Sequence, residues 1–345
     1  MAVSWIAFHL TDRCQLDCQH CLRDPARKPA DLDLALVERV LDQAVALYGV
    51  HEVALTGGEP TLHPQLFDIV DAIVARGLRW HMVSNGHRFD RLLATLQAVP
   101  ARMAGLSAID FSLDGADEAT HDSIRGAGSF RTVMAAVAMA RAHGVPVVLQ
   151  CTLHRRNLDQ IEALSLMGAK LGAGRVSFDL MQPTGTLHDV GFRLSSRDAR
   201  LARDRILQMD AALSIDVTPS TAFPSDAALV MCDSFNSEVL HVDAHGFLNL
   251  CCRHSGIPSE GPPADRIADL NTTPLVDAHR AMMRMVAGAI DDRLAAIAEQ
   301  RVGGWDASAC NFCLRCFGKP HWTDEGIGGP KAQRERWRGA WAKPA

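Results

Sequence analysis

Cys14, Cys18 and Cys21 stand in a C-x3-C-x2-C spacing that lets three thiolates converge from one short loop, and thiolates are ligands for soft metals and iron–sulfur clusters. Three sulfurs can hold three irons of a cubane and leave the fourth iron open. A structural zinc site normally closes with four ligands. His20 lies between the second and third cysteines and could supply the fourth, so zinc stands as the alternative. Six more cysteines fall in the last third of the chain: Cys232, Cys251, Cys252, Cys310, Cys313 and Cys316. Their grouping points to a second ligating centre, with a zinc knuckle again the alternative. Cys151 stands alone in a predicted interior strand, where a thiol is usually a small hydrophobe; its chemical reading is a hydrogen-atom donor to a substrate radical.

Short apolar runs alternate with longer amphipathic stretches and supply the frame for these groups. Strands are predicted at 5–10, 52–55, 79–83, 107–112, 146–153 and 175–181, and helices at 34–47, 64–75, 89–98, 130–142 and 158–171. Gly77, Gly144 and Gly172 follow three of the helices, as left-handed caps do. Six βα units imply an α/β fold, a partial (β/α)6 TIM-type barrel; a closed barrel needs eight units over about 250 residues. The barrel is expected over 1–187, a helical linker over 188–225 with its helix at 196–209, and a small C-terminal α+β cluster-binding domain over 226–320. That domain has a hairpin near Asp243 to Gly246 and a helix near 276–289, and 321–345 reads as a tail in which Trp337 and Trp341 dock on the barrel. The first cysteine loop directly follows the first strand, at the sheet edge where parallel α/β folds bind ligands.

This arrangement resembles the radical S-adenosylmethionine (radical SAM) enzymes. The C-x3-C-x2-C loop is similar to their signature, and Thr56-Gly57-Gly58-Glu59-Pro60 to their amine-binding motif. Ser84-Asn85-Gly86, Ser112-Leu113-Asp114-Gly115, Gln150 and Gln182-Pro183-x-Gly185 end the later strands in agreement. The resemblance covers about residues 5–185. It implies a [4Fe-4S] cluster on Cys14, Cys18 and Cys21 whose open iron chelates S-adenosyl-L-methionine. Gly57 and Gly58 would let the backbone approach that ligand and Glu59 would accept from its ammonium group, with Ser84, Asn85, Gln150 and Gln182 nearby. Ser112 and Asp114 would hold ribose or methionyl groups, and Arg125 would pair with the carboxylate, a surface ion pair being the plainer reading of that arginine. Cys232-x13-Gly246-x4-Cys251 resembles the opening of SPASM and twitch domains, although a full SPASM domain carries seven cysteines. Six thiolates cannot close two cubanes, so one auxiliary [4Fe-4S] cluster is expected, on Cys232, Cys251 and two of Cys310, Cys313 and Cys316; the twitch analogy favours the first two. Cys252 would point away from Cys251 on a strand. His154-Arg155-x-Asn157-Leu158 resembles a segment of the pyrroloquinoline-quinone biosynthesis radical enzymes.

Charge and composition bound the partners. Lys+Arg 35 against Asp+Glu 40 gives a net charge of −5, which offers no basic field for nucleic acid. No run of about 18 apolar residues suits a membrane span, and no export signal opens the sequence, so a cytoplasmic enzyme is expected. The resemblance implies hydrogen abstraction by a 5'-deoxyadenosyl radical, most often to crosslink, oxidise or epimerise a ribosomally made peptide. Its partners would be a flavodoxin or ferredoxin electron donor and, since the first strand begins almost at residue 1, a separate leader-peptide-binding protein. A small-molecule dehydrogenase or cofactor-biosynthesis enzyme is the alternative within the class. Outside it stands a non-catalytic iron–sulfur or zinc scaffold.

Overall fold

The computed structural model describes residues 3–22, 28–183, 190–227, 229–230, 232–255 and 265–329. The six expected strands are present as β1 (Trp5–His9), β2 (Glu52–Thr56), β3 (Arg79–Ser84), β4 (Leu106–Ser112), β5 (Val147–Leu153) and β6 (Arg175–Leu180). All pair in parallel and in chain order, which requires a crossover between each pair and places every C-terminal strand end on one edge. The crossover helix Leu34–Tyr48 shows how. Asp33 caps it by accepting from the Ala35 amide, and it buries Leu36, Val37, Val40, Leu41 and Ala44 against the sheet. Gly77, Gly144 and Gly172 all take left-handed backbone at helix ends, as expected.

Two features extend this frame. A four-residue strand, β7 (Asp216–Pro219), lies inside the segment read as a helical linker and continues the sheet beside β6. It is too short, and too charged at its start, to show a period-2 pattern. On the other side β8 (Val239–Val242) pairs in parallel with β1, and the expected hairpin joins it to β9 (Phe247–Asn249), followed by β10 (Arg266–Asp269). The described strands thus form one ten-stranded sheet in the order β10-β9-β8-β1-β2-β3-β4-β5-β6-β7. The sheet is open, as a partial barrel requires.

Beyond it the helix expected near 276–289 runs from Leu275 to Ala298, and Cys310, Cys313 and Cys316 lie on a helix, Ala309–Cys316, capped by Ser308. Residues 321–328 form a hairpin instead of a free tail: Trp322 is buried and its ring N–H donates to the Met181 carbonyl at 2.8 Å. Gly185, Trp337 and Trp341 lie outside the described residues. No described helix is long and apolar enough to cross a membrane.

Candidate active site

At the C-terminal strand edge lies a cavity of about 280 Å3, and the cysteine loop forms one wall with Cys14, Cys18 and Cys21. Backbone contacts hold this loop from two sides. Gly58 and Glu59 donate their amides to the carbonyls of Thr11 and Arg13 at 2.6 and 2.8 Å, and Gln19 donates to Ile124 at 3.0 Å. A Cβ on Gly58 would stand 2.2 Å from the Arg13 oxygen, and one on Gly57 2.6 Å from the Thr11 oxygen. Both glycines are therefore needed to seat the cysteine loop itself. The expectation had assigned them only to approach of a ligand.

The strand ends complete the wall. Gly57, Gly58 and Glu59 follow β2, Ser84 and Asn85 lie at the end of β3, Ser112 and Gln150 come from β4 and β5, and Gln182 follows β6. Glu59 is 1% exposed: its carboxylate accepts from the Ser84 and Thr61 hydroxyls and from the amides of Asn85 and Thr61, tying the ends of β2 and β3 together. Burial raises its carboxyl and these donors oppose the rise. Asn85 reaches toward the Cys14 sulfur, with Nδ2 at 3.8 Å.

Asp114 and Arg125 form a buried pair. Arg125 lines the cavity, donating from Nε to Asp114 Oδ2 at 2.5 Å, while His20 Nε2 meets the same oxygen at 2.7 Å. The other carboxylate oxygen accepts from the Thr152 amide. Asp114 is fully buried behind Arg125, so its ties are to protein groups. Burial alone would raise its carboxyl; the Arg125 guanidinium and the His20 ring overturn that and hold it well below the usual range. Burial pushes the Cys18 thiol up to about 12, against the pull of Arg125. A metal binding there must displace a proton.

Cys151 sits elsewhere. It is 1% exposed in the hydrophobic core, within reach of Asn157 Nδ2 at 3.6 Å, while its neighbours Gln150 and Thr152 face the cavity. Strand alternation separates them. Sequence reasoning missed a pair on another wall, Asp179 of β6 and Arg253. Arg253 Nη1 donates to Asp179 Oδ1, which also accepts from Ser220 Oγ. The signal available was a carboxylate near the end of a barrel strand and a cation directly after two cysteines.

A second, smaller cavity lies beyond Arg253. Cys232, Cys251, Cys310 and Cys313 line it, among apolar groups such as Phe235, Leu250 and Phe312. Cys310 and Cys313 are three residues apart on their helix, about 60° around the axis, whereas Cys316 is turned about 120° from Cys310. Cys316 is exposed and does not line this cavity. Burial drives the Cys310 thiol up to about 12, opposed by Arg253, whose Nη1 lies 4.0 Å from that sulfur.

Residues 8–167 match the family model described as the radical SAM superfamily. A PqqA peptide cyclase of Ruegeria pomeroyi is 31% identical over 258 residues, 72% of this chain and 67% of that protein. The chain belongs to the radical SAM superfamily. A second PqqA peptide cyclase, from Gluconobacter oxydans, is 34% identical over 218 residues, 61% of this chain and 60% of that protein. Among solved structures, Streptococcus suis SuiB bound to its precursor peptide SuiA superposes with a TM-score of 0.64, at 14% identity, over 80% of this chain and 64% of that one. That likeness is one of fold. The chain thus spans about two thirds of the length of these relatives. The radical SAM match covers the cysteine loop and strands β2 to β5, whose ends line the larger cavity, but stops short of β6, and the second cysteine cavity lies outside it.

Proposed function

We propose that this chain modifies a ribosomally made peptide or protein by hydrogen-atom abstraction. One observation carries the reading: a single cavity joins the three-cysteine loop to Gly57, Gly58, Glu59 and to the polar ends of β3 through β6. The donor set fits a [4Fe-4S] cluster on Cys14, Cys18 and Cys21, since three thiols line one cavity with space beside them for a further ligand. With S-adenosylmethionine, such a cluster supplies a 5'-deoxyadenosyl radical that removes hydrogen from an unactivated carbon.

The chain's own residues then have separable tasks. Gly57 and Gly58 seat the cysteine loop, and Glu59 fixes the β2 and β3 ends that would hold the methionyl group. Ser112, Gln150 and Gln182 offer hydrogen bonds along the wall. Asp114 orients Arg125, leaving its remaining guanidinium donors toward the cavity for a carboxylate. The wall around β6 must exclude water and stray hydrogen donors from the radical.

Four thiols around the second cavity fit one auxiliary cluster, held by Cys232, Cys251, Cys310 and Cys313 in a SPASM- or twitch-like unit over 226–320, with Cys316 outside the set. A peptide substrate is supported by the relatives, two of which are peptide cyclases and one of which binds a precursor peptide. A flavodoxin or ferredoxin would deliver the electron.

The test is anaerobic reconstitution with iron and sulfide, followed by an assay for 5'-deoxyadenosine. Replacing Cys14, Cys18 and Cys21 together with Ala should abolish its formation. Formation at the wild-type rate in that variant would refute the radical reading.

A further inference from the structure

Arg253 lies on a turn of helix, Cys252–Ser255, where a strand had been expected to turn Cys252 away from Cys251. Instead those two sulfurs lie side by side, within 4.8 Å of each other and of a ring nitrogen of His241. The Arg253 side chain lines the larger cavity and donates from Nη1 to Asp179 Oδ1. That carboxylate oxygen is itself fixed, because the Ser220 hydroxyl and the Leu180 amide each donate to it at 2.7 Å. The same Nη1 lies 4.0 Å from the Cys310 sulfur, which the Thr221 hydroxyl approaches to 3.8 Å. Cys310 lines the second cavity. One guanidinium therefore spans a carboxylate on the wall of the larger cavity and a thiol of the smaller one.

We propose that Arg253 raises the reduction potential of the second cysteine centre, by setting a fixed positive charge and an N–H donor beside Cys310, and that Asp179 is the positioning residue that aims it. The assignment rests on the auxiliary-cluster reading above. Ligation strips Cys310 of its proton and leaves a thiolate. Each electron that enters the centre adds negative charge, which a neighbouring cation stabilises. Hydrogen bonds to the sulfurs and net charge are general levers on such potentials. Phe235, Leu250 and Phe312 screen little, so a charge at this distance counts. Arginine suits the task because it stays protonated. Asp179 opposes it with a charge of its own, so the two residues act on the potential with opposite signs. The other cation of the second cavity, Arg293, lies over the Phe312 ring and donates to the Asp306 carbonyl. It is common to every variant below.

The test uses the full chain with Cys14, Cys18 and Cys21 all replaced by Ala and reconstituted anaerobically with iron and sulfide, so that only the second centre reports. Electron paramagnetic resonance during titration with dithionite reads its midpoint. Arg253→Met should move the midpoint to more negative potential, by about tenfold in the ratio of reduced to oxidised centre, or about 59 mV for a one-electron couple. Arg253→Lys, which keeps the charge, should recover most of that shift. Asp179→Asn keeps Arg253 and removes the opposing charge, so it should move the midpoint the other way. A merely structural role for the pair predicts no such opposition of sign. An unchanged midpoint in Arg253→Met, or shifts of the same sign in Arg253→Met and Asp179→Asn, would overturn the proposal. Should Arg253→Met lose its iron, Asp179→Asn decides alone, and a midpoint at or below that of the parent overturns it. A parent chain that binds no iron refutes the auxiliary-cluster reading and this proposal with it, whereas equal midpoints in an iron-loaded series refute the assignment of Arg253 alone.

Discussion

Asp114 has no solvent to stabilise its charge, so Arg125 and His20 must do so. Replacing Arg125 by Met should therefore destabilise the fold by about 3–5 kcal/mol, the usual result of orphaning one member of a buried pair. Urea unfolding measures this directly. His121 and His154 make a separate case. Each accepts a backbone N–H at Nδ1, from Asp114 and Arg156 respectively, which requires an unprotonated Nδ1. Burial lowers both to about 4 from the usual 6.5. Unfolded histidine binds its proton below 6.5 and folded histidine only below about 4. Their contribution is thus complete above pH 6.5 and is lost as pH falls toward 4, up to about 3 kcal/mol each. Urea midpoints at pH 7 and pH 5 should show the drop, and a His154→Gln variant should flatten it. Equal midpoints at the two pH values would contradict the assignment.

Between residues, the loop and the helix decide which sulfurs meet. Gly58→Ala would drive a Cβ into the Arg13 carbonyl, and backbone cannot yield as a flexible side chain can. The cysteine loop should shift, at a cost of about 1–3 kcal/mol, and the variant should lose iron from the first centre and bind S-adenosylmethionine more weakly. Iron analysis and equilibrium dialysis check both. On the Ala309–Cys316 helix the angular spacing separates two sulfurs from the third. Cys313→Ser should lose the auxiliary iron while Cys316→Ser retains it. The reverse outcome would mean that the helix unwinds one turn to present Cys316.

Across the whole molecule, β8 pairs with β1 in the register Trp5↔Val239, so the cysteine-rich C-terminal unit is continuous with the sheet that carries the first cysteine loop. This pairing also covers what would otherwise be an open β1 edge, a template for aggregation. With both centres filled, the protein should hold about eight irons per chain, two cubanes. The Cys14/Cys18/Cys21 triple variant should retain about four, and stoichiometric zinc beside four irons would instead mark the second centre as a zinc knuckle.

Periodicity and spacing alone determined much of this. The six strands, their helices and the placement of Cys14, Cys18 and Cys21 after β1 were legible because parallel βα units repeat a hydrophobic pattern that local sequence carries. Residues of the larger cavity such as Gly57, Glu59 and Gln150 were legible through the resemblance to the radical SAM enzymes, with which their place at the shared strand edge agrees. Only the tertiary structure decided relations between residues far apart in the chain. The Asp179–Arg253 pair spans 74 positions, and no local pattern links them. The pairing of β8 with β1 joins segments more than 200 residues apart. Asp114 lies behind Arg125, Cys151 faces the core and Cys252 faces the cavity because packing, rather than spacing, sets the direction of each side chain.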